Sequence, residues 1–140
     1  MRGRFYPRSS VKVFISHYSG DAWVARQIGR ELRRLGIETF LDDDVVETGD
    51  AFDETIRSNL LNADEVLVLL SPEALERPYV WVEISAGWLQ EKRVVGILYR
   101  MSATQVTTRE GIPAFLKRTQ LRRLEELDRY LDEVRRRAER

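Results

Sequence analysis

An unbroken apolar run, Val66-Leu67-Val68-Leu69-Leu70, constrains this chain more than any other stretch. Because its residues do not alternate with polar ones, a strand built from them must be covered on both faces, as happens in the middle of a parallel sheet. Ser71-Pro72 stops the run. Pro78 suits the first position of a helix, where its missing N–H costs nothing, and Val80, Ile84 and Trp88 continue at helical spacing. On that helix Glu83 lies one turn after Tyr79 and one turn before Gly87, with Ala86 beside it, so the surface next to the carboxylate is small enough to admit a ligand. Most helical glutamates are solvated, and the helix alone favours that plainer account.

The other elements alternate around this strand. Residues 1–10, with Gly3, Pro7 and three arginines, read as a flexible arm, and residues 11–140 as one domain. Val11 to Ser16 is a β-branched strand ending in the hydroxyl-rich turn Ser16-His17-Tyr18-Ser19-Gly20. Asp21 then caps a helix with Val24, Ile28, Leu32 and Leu35 on one face, closed by Gly36. Ile37 to Leu41 is a second strand, followed by the long acidic loop Asp42-Asp43-Asp44-Val45-Val46-Glu47-Thr48-Gly49-Asp50, whose last residue caps a helix striped by Phe52, Ile56 and Leu60. Val94 to Leu98 is a fourth strand, Tyr99 to Gly111 is irregular, Ile112 to Leu116 forms a helical turn, and Thr119 to Leu121 makes a short edge strand. The last helix carries Leu124, Leu127, Leu131 and Val134 inward, with Glu125/Arg129 and Glu133/Arg137 as outer pairs.

Strands and helices alternating in this way specify an α/β, flavodoxin-like three-layer fold with a five-stranded parallel sheet in the order 2-1-3-4-5. Its strand order reverses between the first and third strands, so a ligand belongs in the crevice lined by Ser16 to Asp21 and Ser71 to Pro78. Glu83 projects from the helix behind that crevice, and topology therefore raises it above an ordinary surface glutamate.

Composition narrows the chemistry. The chain has no cysteine and a single histidine, His17, which excludes thiol catalysis, disulfide frameworks and multi-histidine metal sites. Its 23 basic and 23 acidic residues cancel, so no global field recruits nucleic acid or an anionic membrane. No signal peptide or membrane-length apolar run occurs, and the expectation is a soluble, cytoplasmic protein. Neither a G-x-G-x-x-G nor a P-loop follows any strand, the acids of a phospho-receiver are replaced by Ser16-His17 and Ser71, and the consecutive acids Asp42, Asp43 and Asp44 do not converge as metal ligands.

The segments Val13-Phe14-Ile15-Ser16-His17-Tyr18-Ser19-Gly20-Asp21, Leu70-Ser71-Pro72 and Tyr79-Val80-Trp81-Val82-Glu83 together resemble the bacterial branch of the TIR (Toll/interleukin receptor) domain family. The likeness extends from Val11 to the C-terminus. It implies an NAD-cleaving enzyme with Glu83 on the catalytic glutamate, NAD as substrate and no separate cofactor. Ser16, His17, Tyr18, Ser71 and Tyr79 are then candidates for holding ribose, phosphate or base, with His17 equally readable as a satisfied loop histidine. Tyr79 stands where the family usually has tryptophan, and Trp81 lies two places later. The same likeness implies self-association with other TIR domains through Asp42, Asp43, Asp44, Gly49 and Asp50. A non-catalytic TIR pairing module and a nucleoside-cleaving transferase stand as the alternatives.

Overall fold

A computed structural model describes residues 11–41, 52–111 and 120–139 of the chain. Five parallel strands, β1 (Lys12–Ser16), β2 (Glu38–Leu41), β3 (Glu65–Leu70), β4 (Arg93–Leu98) and β5 (Gln120–Arg123), lie in the order β2-β1-β3-β4-β5. This is the order expected from the alternation of elements, and β3 is buried along its full length. The register places Ser16 opposite Val68 and Leu70 opposite Leu98, so β1, β3 and β4 end at one edge.

Side-chain alternation along the strands divides the core into two layers. Val13, Ile15, Leu67, Leu69, Val95 and Ile97 face α1 (Ala22–Arg34) and the C-terminal helix, which supplies Tyr130 and Val134. Phe14, Val66, Val68, Leu70 and Leu98 face the opposite layer, where α2 (Phe52–Asn62) contributes Leu60 and α3 (Pro78–Leu89) contributes Val80 and Ile84. Val106, from α4 (Ala103–Thr107), completes that side. The C-terminal helix, α5, spans Leu127–Ala138 and follows a 3₁₀ turn over Leu124–Glu126. Among the described residues no helix is long and apolar enough to cross a membrane.

Several details depart from the sequence reading. The stretch after β4 is not irregular throughout, because Ser102 and Gln105 form a reciprocal capping box that starts α4. Trp88 and Leu35 fall on their helical stripes but remain exposed, at 49% and 36%, because each lies at the end of its helix. The outer pairs expected on α5 do not hold for Glu133 and Arg137. Glu133 instead accepts from Arg122 on β5 at 2.7 Å, and Arg137 reaches Glu65 at the start of β3 at 2.7 Å. Tyr130, overlooked in the apolar stripe, is buried and donates to the other Glu65 oxygen at 2.5 Å. These contacts tie the last helix to the central strand through Glu65 and to β5 through Arg122.

Gly87 also has a different use from the one its size suggested. A Cβ there would lie 2.7 Å from Val66 Cγ2, so the glycine lets α3 settle onto β3 and leaves no room for a ligand. The proposed arm at residues 1–10, the helical turn at Ile112 to Leu116, Thr119 and the acidic loop, with Asp42, Asp43, Asp44, Gly49 and Asp50, lie outside the described residues.

Candidate functional site at the strand-order reversal

Polar side chains in a sheet protein collect where strands end, because there the apolar layers stop covering them. At the carboxyl ends of β1 and β3 this chain buries Ser16, His17, Asp21, Ser71 and Glu83, each no more than 4% exposed. Ser16 shares the parity of Phe14 and therefore points into the α3 layer. There its Oγ donates to Glu83 Oε1 across 2.5 Å. Glu83 sits on the same inward stripe as Val80, Ile84 and Gly87, which aims its carboxylate at the sheet edge and away from bulk water.

A second pair lies beside the first. Ser71 Oγ donates to Asp21 Oδ2 at 2.6 Å and accepts from the Ala74 N–H at 3.2 Å, joining the turn after β1 to the turn after β3. Asp21 occupies the position before α1, as its type suggested, but makes no side-chain cap. Its carboxylate serves Ser71, and Arg100 adds a 3.6 Å contact to the other oxygen.

The rim carries charge. Arg100, at a left-handed φ of 61° just past β4, donates to Glu73 at 2.7 Å and holds the Glu73 carboxyl below its ordinary range. The same contact raises the Arg100 guanidinium. Arg77 lies over the Tyr18 ring, 4.5 Å from its centroid, a cation–π contact that fixes the aromatic at the crevice mouth. Gly20 makes room for that ring, since a Cβ at position 20 would collide with it. Trp81 is partly buried, its indole N–H donating to the Leu75 carbonyl at 2.8 Å.

Of the residues singled out from sequence, Ser16 and Glu83 are in direct contact, Ser71 and His17 are buried at the same edge, and Tyr18 is half-buried at the rim. Tyr79 takes its place in α3 one turn before Glu83, and its side chain lies outside the described part of the structure. Sequence reasoning missed the site contacts of Asp21, Arg77, Glu73 and Arg100. No spacing rule links Asp21 to Ser71, 50 positions apart, because only the sheet order brings them together.

A doubly wound parallel sheet with a buried polar cluster at its order reversal defines a class of α/β domains that place their functional groups at the carboxyl edge. The family model of the TIR domain matches residues 13–137, and the chain belongs to that family. Among solved structures it is similar to the TIR domain of the Toll-related Receptor TRR-2 from Hydra magnipapillata. That likeness has a TM-score of 0.67 at 23% identity and covers 89% of this chain and 97% of the other. It is also similar to the TIR domains of the activated Roq1 resistosome that directly recognises the pathogen effector XopQ, with a TM-score of 0.60 at 20% identity over 76% of this chain and 68% of the other. At these identities the likenesses describe the fold. No curated protein matches the chain.

Proposed function

We propose that this TIR domain cleaves NAD, releasing nicotinamide and leaving ADP-ribose or a cyclic variant, as a cytoplasmic effector or signalling protein of bacterial anti-phage immunity. The observation that carries the reading is the Glu83 carboxylate held by Ser16 at the point where the strand order reverses.

One carboxylate suffices for this reaction. When the bond between ribose C1′ and the pyridinium nitrogen breaks, its electron pair neutralises the ring, so no acid is needed to protonate the leaving group. Ordinary glycosidases, whose leaving group is an oxygen, require two carboxyl groups. Glu83 stabilises the positive charge that develops on the ribose, an interaction stronger in the transition state than in the bound substrate. Water then supplies a hydroxyl to C1′ and releases a proton. A ribose hydroxyl replaces Ser16 as donor to Glu83, and His17, Tyr18, Ser71 and Tyr79 line the path of ribose, phosphate and base.

The burial of Glu83 to 2% exposure favours a second reading, a TIR pairing module without turnover. The resistosome to which the Roq1 TIR domains belong supports an assembled working form, with Asp42, Asp43, Asp44, Gly49 and Asp50 as the self-association loop. Nicotinamide release from NAD, followed over a range of protein concentrations with Glu83→Ala as control, separates the two. Catalysis predicts release that rises faster than linearly with concentration and is lost in the variant, whereas equal rates in both proteins leave only the pairing module.

A further inference from the structure

A concavity lined mainly by arginines lies beside β2. Its volume is about 590 Å³, and Arg26, Arg30, Arg33 and Arg34 of α1 line it together with Thr39 on β2 and Asn59 on α2. All four arginines are exposed, and their positions 26, 30, 33 and 34 fall along one face of the helix. Glu31 pairs with Arg34 at 3.2 Å, an exposed contact of small energetic weight.

The strand beside this row is an edge. Among the described residues β2 pairs with β1 and no other strand, so its outer side carries no described strand partner. Thr39 Oγ1 is buried there with no hydrogen-bond partner among the described residues. Gly29 shapes the wall. A Cβ at that position would sit 3.3 Å from Leu41 Cδ1, tighter than an ordinary contact, so its absence lets α1 settle closely against β2. A glycine inside a helix costs about 1 kcal/mol relative to alanine, so its presence in α1 suits a position where close approach matters.

We propose that this groove binds an extended acidic segment of a partner protein, which adds to β2 as a sixth strand. Two spacings support the match. Residues four apart on a helix rise about 6 Å, and alternate residues of an extended strand are about 6.6–6.8 Å apart. A segment with Asp or Glu at every second position therefore offers one carboxylate to each turn of the arginine row while its backbone pairs with β2. The four residues of β2 set the length of that pairing. The row also repels the same edge of a second copy of this chain, which opposes edge-to-edge association.

The test measures binding of a fluorescent peptide, Glu-Val-Glu-Val-Glu-Val with blocked ends, to the full chain by anisotropy. The expected result is saturable binding that weakens as salt rises. Arg30→Glu combined with Arg33→Glu should weaken it by roughly tenfold or more. Arg136→Glu, an exposed change on α5, should have little effect. Methylating one backbone nitrogen of the peptide on its pairing side should cost about fivefold, the weight of a single backbone hydrogen bond. Tripolyphosphate binding as tightly as the peptide, together with indifference to backbone methylation, would reduce the groove to a general anion sink and overturn the proposal. So would a native chain whose β2 edge is already closed by a second copy, seen as a dimer in light scattering that excludes the peptide.

Discussion

Ser16 and Glu83 stand 67 positions apart in the chain, and the Ser16 hydroxyl donates to the Glu83 carboxylate across 2.5 Å inside the protein. Hydrogen bonds to charged groups contribute about 1.5–3 kcal/mol, and a buried carboxylate deprived of a donor bears its own desolvation. Ser16→Ala should therefore destabilise the fold by about 1–3 kcal/mol, read as a lower urea midpoint at unchanged slope. A change within about 0.5 kcal/mol, the range of an ordinary surface substitution, would show that Glu83 does not depend on this contact.

Asp21 and Ser71 form the second link between the turns after β1 and β3. If the aspartate works across the crevice and not as a helix cap, Asp21→Ala and Ser71→Ala should be coupled. A double-mutant cycle is expected to give an interaction energy of about 0.5–3 kcal/mol. Additive effects would return Asp21 to the capping role suggested by its position in the sequence.

Gly87 should resist substitution even though alanine is the better helix former by about 1 kcal/mol. A methyl group 2.7 Å from Val66 Cγ2 forces a shift in a packed layer. Overpacking of this kind costs about 1–3 kcal/mol, so Gly87→Ala should lower the melting temperature. Combining it with Val66→Ala should restore part of the packing strain while adding the cost of a smaller core residue, giving a double variant more stable than the sum of the two single effects.

Tyr130 gives the fold an alkaline limit. Burial, reinforced by the neighbouring Glu65 charge, raises its phenol well above the ordinary value of 10.0. Between the unfolded and folded values the native state keeps a proton that the unfolded chain has lost, so the sign of the linkage is fixed: stability is fully present below pH 10 and falls as pH rises beyond it. Tyr130→Phe should flatten this alkaline fall. It should also cost about 1–3 kcal/mol at neutral pH, because Glu65 loses a buried donor. Urea unfolding at pH 7 and in the range just above 10 checks both parts.

The strands were legible in the sequence because continuous apolar runs leave little choice for β3 and β4, and the helix starting at Pro78 followed from proline chemistry. The sheet order came from alternation of elements. It brought Glu83, Ser16 and Ser71 to one region before any contact was known. Illegible were the contacts that depend on which oxygen meets which donor: the place of Asp21 in the sequence suggests a helix cap, whereas its carboxylate accepts from Ser71, 50 positions away. Arg137 similarly had a partner four residues away in sequence, yet reaches Glu65 on the central strand. Gly87 suggested open space because a glycine in a sequence carries no record of the Val66 methyl that fills it.

The most direct test of the enzymatic account is NAD consumption by concentrated protein carrying Glu83→Gln, which keeps the size of the side chain and an acceptor oxygen for Ser16 while removing the negative charge. With folding verified by an unchanged melting profile, the account predicts that nicotinamide and ADP-ribose appear in the native reaction and that their formation falls by about 10²–10³-fold in the variant, the scale expected when electrostatic stabilisation of a transition state is lost. Equal product formation by the two folded proteins, or no turnover by the native chain even when assembled, would contradict it.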